Sequence, residues 1–114
     1  GLEEQEITKM LKDSMENAEQ DMQARMLKEQ QVEASRVIES IQAALAADSA
    51  LLNEAEINEI DSAITALAKI SQTGSVDEVE AAIDTLNNST ALFAERRMDS
   101  SIKTALSGHS VDEV

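Results

Sequence analysis

The chain has 114 residues, of which nine are Lys or Arg and 23 are Asp or Glu, so its formal net charge is −14. This length accommodates one domain with a single modest core. The acidic charge argues against nucleic acid as a partner, because binding a phosphate backbone needs clustered basic side chains, and it disfavours anionic membrane surfaces for the same reason.

The composition favours helices. Hydrophobic residues make up 42% of the chain, yet aromatic residues make up 1%, and there are three Gly and no Pro. Straight-chain residues such as Leu, Met, Glu and Gln lose little rotamer freedom in a helix. The longest apolar run, residues 43–47, is far shorter than the roughly 20 residues that span a bilayer. Without cysteine or a visible signal peptide, the chain is expected to be cytoplasmic.

The first predicted element covers residues 3–47, which contain neither Gly nor Pro. Apolar residues spaced by three or four positions mark one face of an amphipathic helix, and we call them the arm stripe. Its members are Ile7, Leu11, Met15, Ala18 and Met22. The pattern is lost over residues 28–31 and resumes at Val37. The segment is therefore either one long helix whose buried face changes or a bent pair of helices.

Two capping boxes predict the next helix starts. Asn53 with Glu56, and Ser75 with Glu78, have the spacing at which each side chain bonds the other residue's backbone amide. Between them, Ile57 to Ile70 follow the helical period, and Gly74 suits the left-handed position after a helix end.

The last predicted stretch covers residues 76–107 as one helix or two, and Gly108 is expected to end it. Val76 to Phe93 follow the helical period, and Met98 to Leu106 continue it. The segments joined by short links should be antiparallel. We expect an all-α fold in which a long N-terminal helix or bent helix pair leads into a three- to four-helix antiparallel bundle. Residues 1–22 would form an arm, residues 23–107 the bundle and residues 108–114 a flexible tail.

Candidates for chemistry are few. His109 is the only histidine and falls in the expected tail, and the three Gly are isolated, so no phosphate-binding loop is formed. Acidic residues near helix starts are explained by the helix dipole. We therefore predict no catalytic residue, metal ligand or cofactor site. Arg96 and Arg97 could dock on a partner or on acids of a neighbouring helix, and we expect the local pairing.

The arm stripe is the main candidate for an interaction surface. It could pack on a missing domain or on a second copy of the chain, or it could be ordinary core. Four of the five Met residues lie in this N-terminal segment, and Met adapts well to irregular partner surfaces. Because the chain begins with Gly and the helical pattern starts almost at once, we expect a piece of a longer protein.

Several motifs resemble the C-terminal helical lid of seventy-kilodalton heat-shock chaperones of the DnaK type. Gly1-Leu2-x-x-x-Glu6-Ile7-x-x-Met10 is similar to the start of the first lid helix, and Asn17-Ala18-Glu19-x-Asp21 is similar to a run typical of the family. The final segment, from Phe93-Ala94-x-Arg96-Arg97 to Gly108-His109-Ser110-Val111-Asp112-Glu113-Val114, resembles the bacterial branch of the family that serves iron–sulfur cluster assembly.

The resemblance implies a parent protein with an ATPase domain, which would bind ATP, and a β-sandwich that grips a peptide of the iron–sulfur scaffold protein with help from a J-type co-chaperone. This chain would be the lid that closes over that sandwich. The alternatives are a lid of a general protein-folding chaperone, or an adaptor that self-associates through the arm stripe as a homodimer.

The resemblance also identifies a latch region. In DnaK, an Asp and a His of the second lid helix tie the lid to loops of the sandwich, and an ungapped match places Ser35 and Glu39 at those positions. A different latch is therefore expected, with Arg36 or Glu39 bonding the sandwich. The ending Asp112-Glu113-Val114 differs from the Glu-Glu-Val-Asp ending that helical-repeat co-chaperones bind, so those partners are not inferred.

Overall fold

The computed structural model describes the backbone of residues 2–113 and the side chains of residues 3–107. Within these limits the fold consists of helices only. They are α1 (Leu2–Asp48), a 3₁₀ turn (Ser49–Leu51), α2 (Glu54–Thr73), α3 (Val76–Ser89) and α4 (Ala91–Glu113). The principal dimensions are 91 × 32 × 16 Å, so the molecule is strongly elongated. The expected all-α class is confirmed.

Helix α1 is one continuous element of 47 residues, so the prediction of a bent helix pair is wrong and that of a single helix is confirmed. At about 1.5 Å per residue it is roughly 70 Å long. The described side chains of residues 3–26 are exposed, and Leu27 is the first that is half-buried. The exposed arm is therefore residues 3–26, four positions longer than the predicted arm. Only the second half of α1 packs in the bundle.

The core is formed by α1, α2 and α3 with one residue from α4. Its members are buried and apolar, and three of them, Leu67, Val79 and Leu86, have no exposed surface. The remaining members are Ala34, Ile41, Ala44, Ile60, Ile64, Ile83 and Phe93. The sequence pattern predicted the three packed segments correctly, although it missed Ala34, which lies just after the stretch where periodicity is lost.

Both predicted capping boxes are present. The Asn53 side chain accepts a hydrogen bond from the Glu56 amide at 2.8 Å, and the Glu56 carboxylate accepts one from the Asn53 amide at 2.9 Å. Ser75 and Glu78 make the same reciprocal pair, with both distances at 3.3 Å. These bonds satisfy backbone donors that the first helical turn leaves free, and they set the starts of α2 and α3.

Gly74 follows α2 but does not adopt the predicted left-handed conformation. Its φ and ψ are −90° and 169°, which is extended backbone. A glycine is still favoured here because the chain passes close to the helix it leaves. A Cβ atom on Gly74 would lie 2.8 Å from the Ile70 carbonyl oxygen and 2.9 Å from Ile70 Cγ2. Close approach, and not positive φ, is the reason for this residue.

Helices α3 and α4 are separate, with a break at Thr90. The Thr90 amide donates to the carbonyl oxygens of Leu86 and Asn87, and its hydroxyl donates to Asn87 at 3.0 Å. Hydroxyl and amide side chains compete with the backbone groups of a helix for hydrogen bonds. Residues 87–90 (Asn-Asn-Ser-Thr) are four such residues in succession, which favours a break here.

Helix α4 does not end at Gly108, where the sequence suggested an end; it continues to Glu113. A single glycine lowers helix stability by only about 1 kcal/mol, which does not by itself stop a helix. The side chains of residues 108–114, including His109, lie outside the described residues, so the flexible tail remains a prediction.

Two arginines hold the start of α4 against the rest of the bundle. Arg96 Nη1 donates to the Leu51 carbonyl at 2.9 Å and to Glu56 Oε1 at 2.7 Å. Arg97 Nε donates to Asp48 Oδ2 at 2.8 Å, and its guanidinium lies 5.8 Å from the centre of the Phe93 ring. The predicted pairing of both arginines with acids of neighbouring elements is confirmed.

These contacts predict a pH dependence centred on Glu56. The hydrogen bond from Arg96, with that from the Asn53 amide, lowers the pKa of Glu56 below its ordinary value of 4.5. Because the pKa is lower in the folded state, ionised Glu56 stabilises the fold above the unfolded pKa, and this contribution is lost as pH falls through the folded pKa. In Arg96→Gln, an NMR pH titration of the Glu56 carboxyl should show its pKa rising towards 4.5.

The matched control is Arg97→Gln, which removes a neighbouring guanidinium but leaves the Arg96–Glu56 hydrogen bond in place. The Glu56 pKa should not change in this variant. An equal rise in both variants would show that general charge, and not the specific hydrogen bond, lowers the pKa.

Candidate functional surface on the first helix

The arm stripe is exposed along its whole length. Ile7, Leu11 and Met15 are 56%, 60% and 72% exposed, and Met22 is 49% exposed. Ala18, the fifth member, is also exposed, and Met10 and Met26 flank the stripe with exposed side chains of their own. The alternative that the stripe is ordinary core of this chain is therefore wrong. Its role as an interface remains a prediction.

The arm stripe does not continue the face of α1 that packs in the bundle. Successive residues of an α-helix are rotated by about 100°, so the stripe is displaced by roughly a third of a turn from the buried Ala34, Ile41 and Ala44. Because the two faces differ, a partner can cover the arm stripe without competing with α2 or α3.

Charged side chains border the middle of the arm stripe. Leu11 and Met15 line a shallow concavity of about 460 Å³ together with Lys12, Glu16 and Glu19. An apolar centre with a charged rim is typical of surfaces that bind another protein.

The three predicted latch residues lie on the part of α1 that belongs to the bundle, on its outward side. Ser35, Arg36 and Glu39 are exposed and line a second shallow concavity with Lys28, Gln31 and Val32. Arg36 Nη1 lies 3.8 Å from Glu33 Oε2, and the Arg36 side chain is 75% exposed. Each of the three side chains is thus accessible to a partner, and their assignment as a latch remains a prediction.

Several exposed apolar side chains were not identified as surface features by sequence reasoning. Val32 is 55% exposed beside the latch residues, and the available signal was a single apolar residue directly after the polar run of residues 28–31. On α4, Met98, Ile102 and Leu106 are 66%, 51% and 61% exposed, although they continue the helical period of the packed residues before them. Periodicity shows that residues share a face but not whether another helix reaches that face.

No group of three or more His, Asp or Glu side chains among residues 3–107 is arranged to hold a metal ion. In the same part of the chain, no helix combines the length and the apolar character needed to cross a membrane.

The family model described as "Hsp70 protein" matches residues 1–99. This match covers most of the chain, and the chain belongs to the Hsp70 family. Within this family, residues 1–99 correspond to a segment whose described part is helical and carries an exposed apolar arm.

Within the family, the chain is similar to chaperones of one type. The chain is 58% identical over all 114 residues to "Chaperone protein HscA" of Serratia proteamaculans and to that of Edwardsiella ictaluri, and 55% identical to that of Escherichia coli. In each case the match covers 18% of the relative's length. The chain thus spans about a fifth of the length of these chaperones.

Proposed function

We propose that this chain is the helical lid of an Hsp70-type chaperone. In this proposal the arm stripe packs on a peptide-binding β-sandwich elsewhere in the parent protein, and the lid slows the release of a bound client. The observation that carries the proposal is the exposed arm stripe, from Ile7 to Met22, in a chain of the Hsp70 family.

The energetics of the arm support a docking role. Each Leu, Ile or Met side chain gains roughly 1.5–3 kcal/mol on full burial, and the arm holds several such side chains with half or more of their surface exposed. Contiguous exposed apolar surface of this kind usually marks an interaction site. Half of α1 is left without intramolecular packing, which is what a lid needs if it must detach and close again.

The latch residues complete the lid in this proposal. Arg36 would donate to an acceptor on the sandwich, because its side chain is 75% exposed and is held only weakly, at 3.8 Å from Glu33. Glu39, one turn further along α1, would accept a second bond. Exposed pairs of this type contribute at most about 1 kcal/mol each, so the latch would orient the lid while the arm stripe supplies most of the closing free energy.

From the resemblance of residues 93–114 to one bacterial branch of the family, we further propose what the whole parent protein does. The parent would be an ATP-dependent chaperone whose client is the scaffold protein of iron–sulfur cluster assembly and whose ATPase is assisted by a J-type co-chaperone. The chain itself would contribute no catalytic residue and hold no cofactor, ATP being bound in a different domain.

The dissociation rate of a labelled scaffold peptide from the full-length parent tests the lid role. Leu11→Glu/Met15→Glu should accelerate dissociation by about tenfold or more, because loss of about 1.4 kcal/mol of closing free energy changes an equilibrium tenfold. Most changes in affinity between related complexes arise in this rate.

The matched control is Gln20→Glu/Ala24→Glu. Each of these exposed residues lies nine positions after its counterpart, which is about half a turn around the helix, so the same two charges are placed on the opposite face. This control should release peptide at the wild-type rate. Equal rates in both double variants would contradict a lid that docks through the arm stripe.

A further inference from the structure

A groove on the bundle lies away from the arm stripe and shares one residue, Arg36, with the proposed latch. It runs between α1 and the corner where α3 meets α4, and its volume is about 340 Å³. Helix α1 contributes Arg36, Val37, Ser40, Ile41 and Ala44, and the other wall is made by Asn87, Thr90, Phe93, Ala94 and Arg97. From Arg36 to Ala44 the α1 wall is about 12 Å long, enough for three or four residues of an extended peptide.

The floor of the groove is apolar. Phe93, Ile41 and Ala44 are 3%, 9% and 8% exposed. They belong to the core and also line the groove. Phe93 is the only aromatic residue of the chain. An apolar side chain of a ligand entering the groove would therefore meet a firm surface, and no core residue would have to move.

The lining of the groove contains basic but no acidic side chains, in contrast to the composition of the whole chain. Its ten lining residues include two arginines, Arg36 and Arg97, and none of them carries a carboxylate. The whole chain, by comparison, has 23 acidic residues against nine basic ones. Ser40, Asn87 and Thr90 add polar side chains to the walls.

Both arginines retain hydrogen-bonding capacity. Arg97 uses its Nε donor on Asp48, and the ring of Phe93 lies beside its guanidinium, so the group is already oriented. Arginine has five N–H donors, so the Nη groups can still bind a carboxylate. Arg36 is 75% exposed, and its acidic neighbour Glu33 is 3.8 Å away, too far for a strong hydrogen bond.

We propose that this groove binds a short acidic peptide segment of a protein partner. One apolar side chain of the segment would lie on Phe93, and its carboxylates would bind Arg36 and Arg97. Charge complementarity selects this partner: the chain as a whole repels acidic peptides, and the groove offers two accessible arginines with no carboxylate in its lining. None of these residues belongs to the arm stripe, and only Arg36 is shared with the proposed latch, so binding at the groove can be tested separately from docking of the arm.

The test is an NMR titration of the ¹⁵N-labelled chain, which contains the complete core, with the peptide Glu-Glu-Leu-Glu-Glu. Saturable shifts are expected at the amides of Ser40, Ala44, Thr90 and Ala94. A peptide with Ser in place of Leu should bind more weakly, because it lacks the side chain that meets Phe93. Shifts located on the arm stripe instead, or no saturation at millimolar peptide, would overturn the proposal.

Opposite charges placed at one exposed groove position, Ser40, distinguish an effect of charge on peptide binding from an effect of misfolding. Ser40→Glu should weaken peptide binding by about threefold to fivefold, and Ser40→Lys should strengthen it by about threefold, since the added charge lies beside the carboxylates of the bound peptide. Arg36→Glu should weaken it as much as Ser40→Glu, whereas Arg25→Glu, a charge reversal outside the groove, should change affinity less than about twofold. Equal affinities of the two Ser40 variants would refute the groove as the site.

Discussion

Replacing Leu67 by Ala is expected to lower the free energy of unfolding by about 3–5 kcal/mol, the largest effect we predict for a single substitution. Leu67 lies in the middle of α2 with no exposed surface and belongs to the core shared with α1 and α3. Removing its side chain would lose the burial free energy and leave a cavity that packed helices close only in part.

The size of this effect is large relative to the stability of a small bundle. Domains of this size are stable by about 5–15 kcal/mol, so the variant would lose a large fraction of the total. Each kcal/mol lowers the melting temperature of such a domain by roughly 4–8 °C, and the midpoint should therefore fall by more than about 12 °C. Urea denaturation and thermal melts followed by circular dichroism both measure the change.

Leu11→Ala is the control, because it is the same chemical change at a side chain that is 60% exposed. It should alter the free energy of unfolding by less than about 0.5 kcal/mol. A loss comparable with that of Leu67→Ala would mean that the arm stripe is buried in solution, as in a self-associated form of the chain.

Amide hydrogen exchange along α1 is expected to change abruptly near Leu27. Amides of residues 3–26 should exchange at least about a thousandfold faster than those around Ile41, although both belong to one helix. The reason is that bundle amides open only with the core, whereas arm amides are protected only by local helix stability. Most of the stability of a helix in a protein comes from tertiary packing, which the arm does not have within this chain.

Exchange measured by mass spectrometry or NMR over a range of protein concentrations checks this prediction. A monomer should show the same boundary near Leu27 at every concentration. Protection of residues 3–26 that rises with concentration would instead identify a homodimer formed through the arm stripe, and would favour the adaptor alternative. The double variant Leu11→Glu/Met15→Glu should then lose that protection, while Gln20→Glu/Ala24→Glu should keep it.

The local features of the fold could be predicted from the sequence because they depend on residues three or four positions apart. The pairs Asn53–Glu56 and Ser75–Glu78 start helices where their spacing indicated. The periodic apolar residues of α2 and α3 form the core, and the arm stripe lies on one face. In each case the hydrogen bonds or faces concerned are made within one or two helical turns.

Only the tertiary structure decided the features that depend on distant residues. Helix α1 continues without a break through residues 28–31, where it begins to pack against the bundle. In this stretch Gln31 Nε2 donates a hydrogen bond to the Ser71 carbonyl at 2.7 Å. Gly74 is required by its approach to Ile70, and the exposure of Met98 to Leu106 follows from the absence of a described helix beside them.

The candidate surfaces were likewise predictable only in part from the sequence. The sequence by itself determined that the chain is helical, that an amphipathic arm precedes a bundle and which motifs resemble a chaperone lid. The tertiary structure decided that the arm stripe is uncovered and that Arg36 and Arg97 share one groove, although they are 61 positions apart in the sequence. Periodicity defines the face of a helix on which a residue lies, but the neighbour of that face is chosen by packing between segments far apart in the chain.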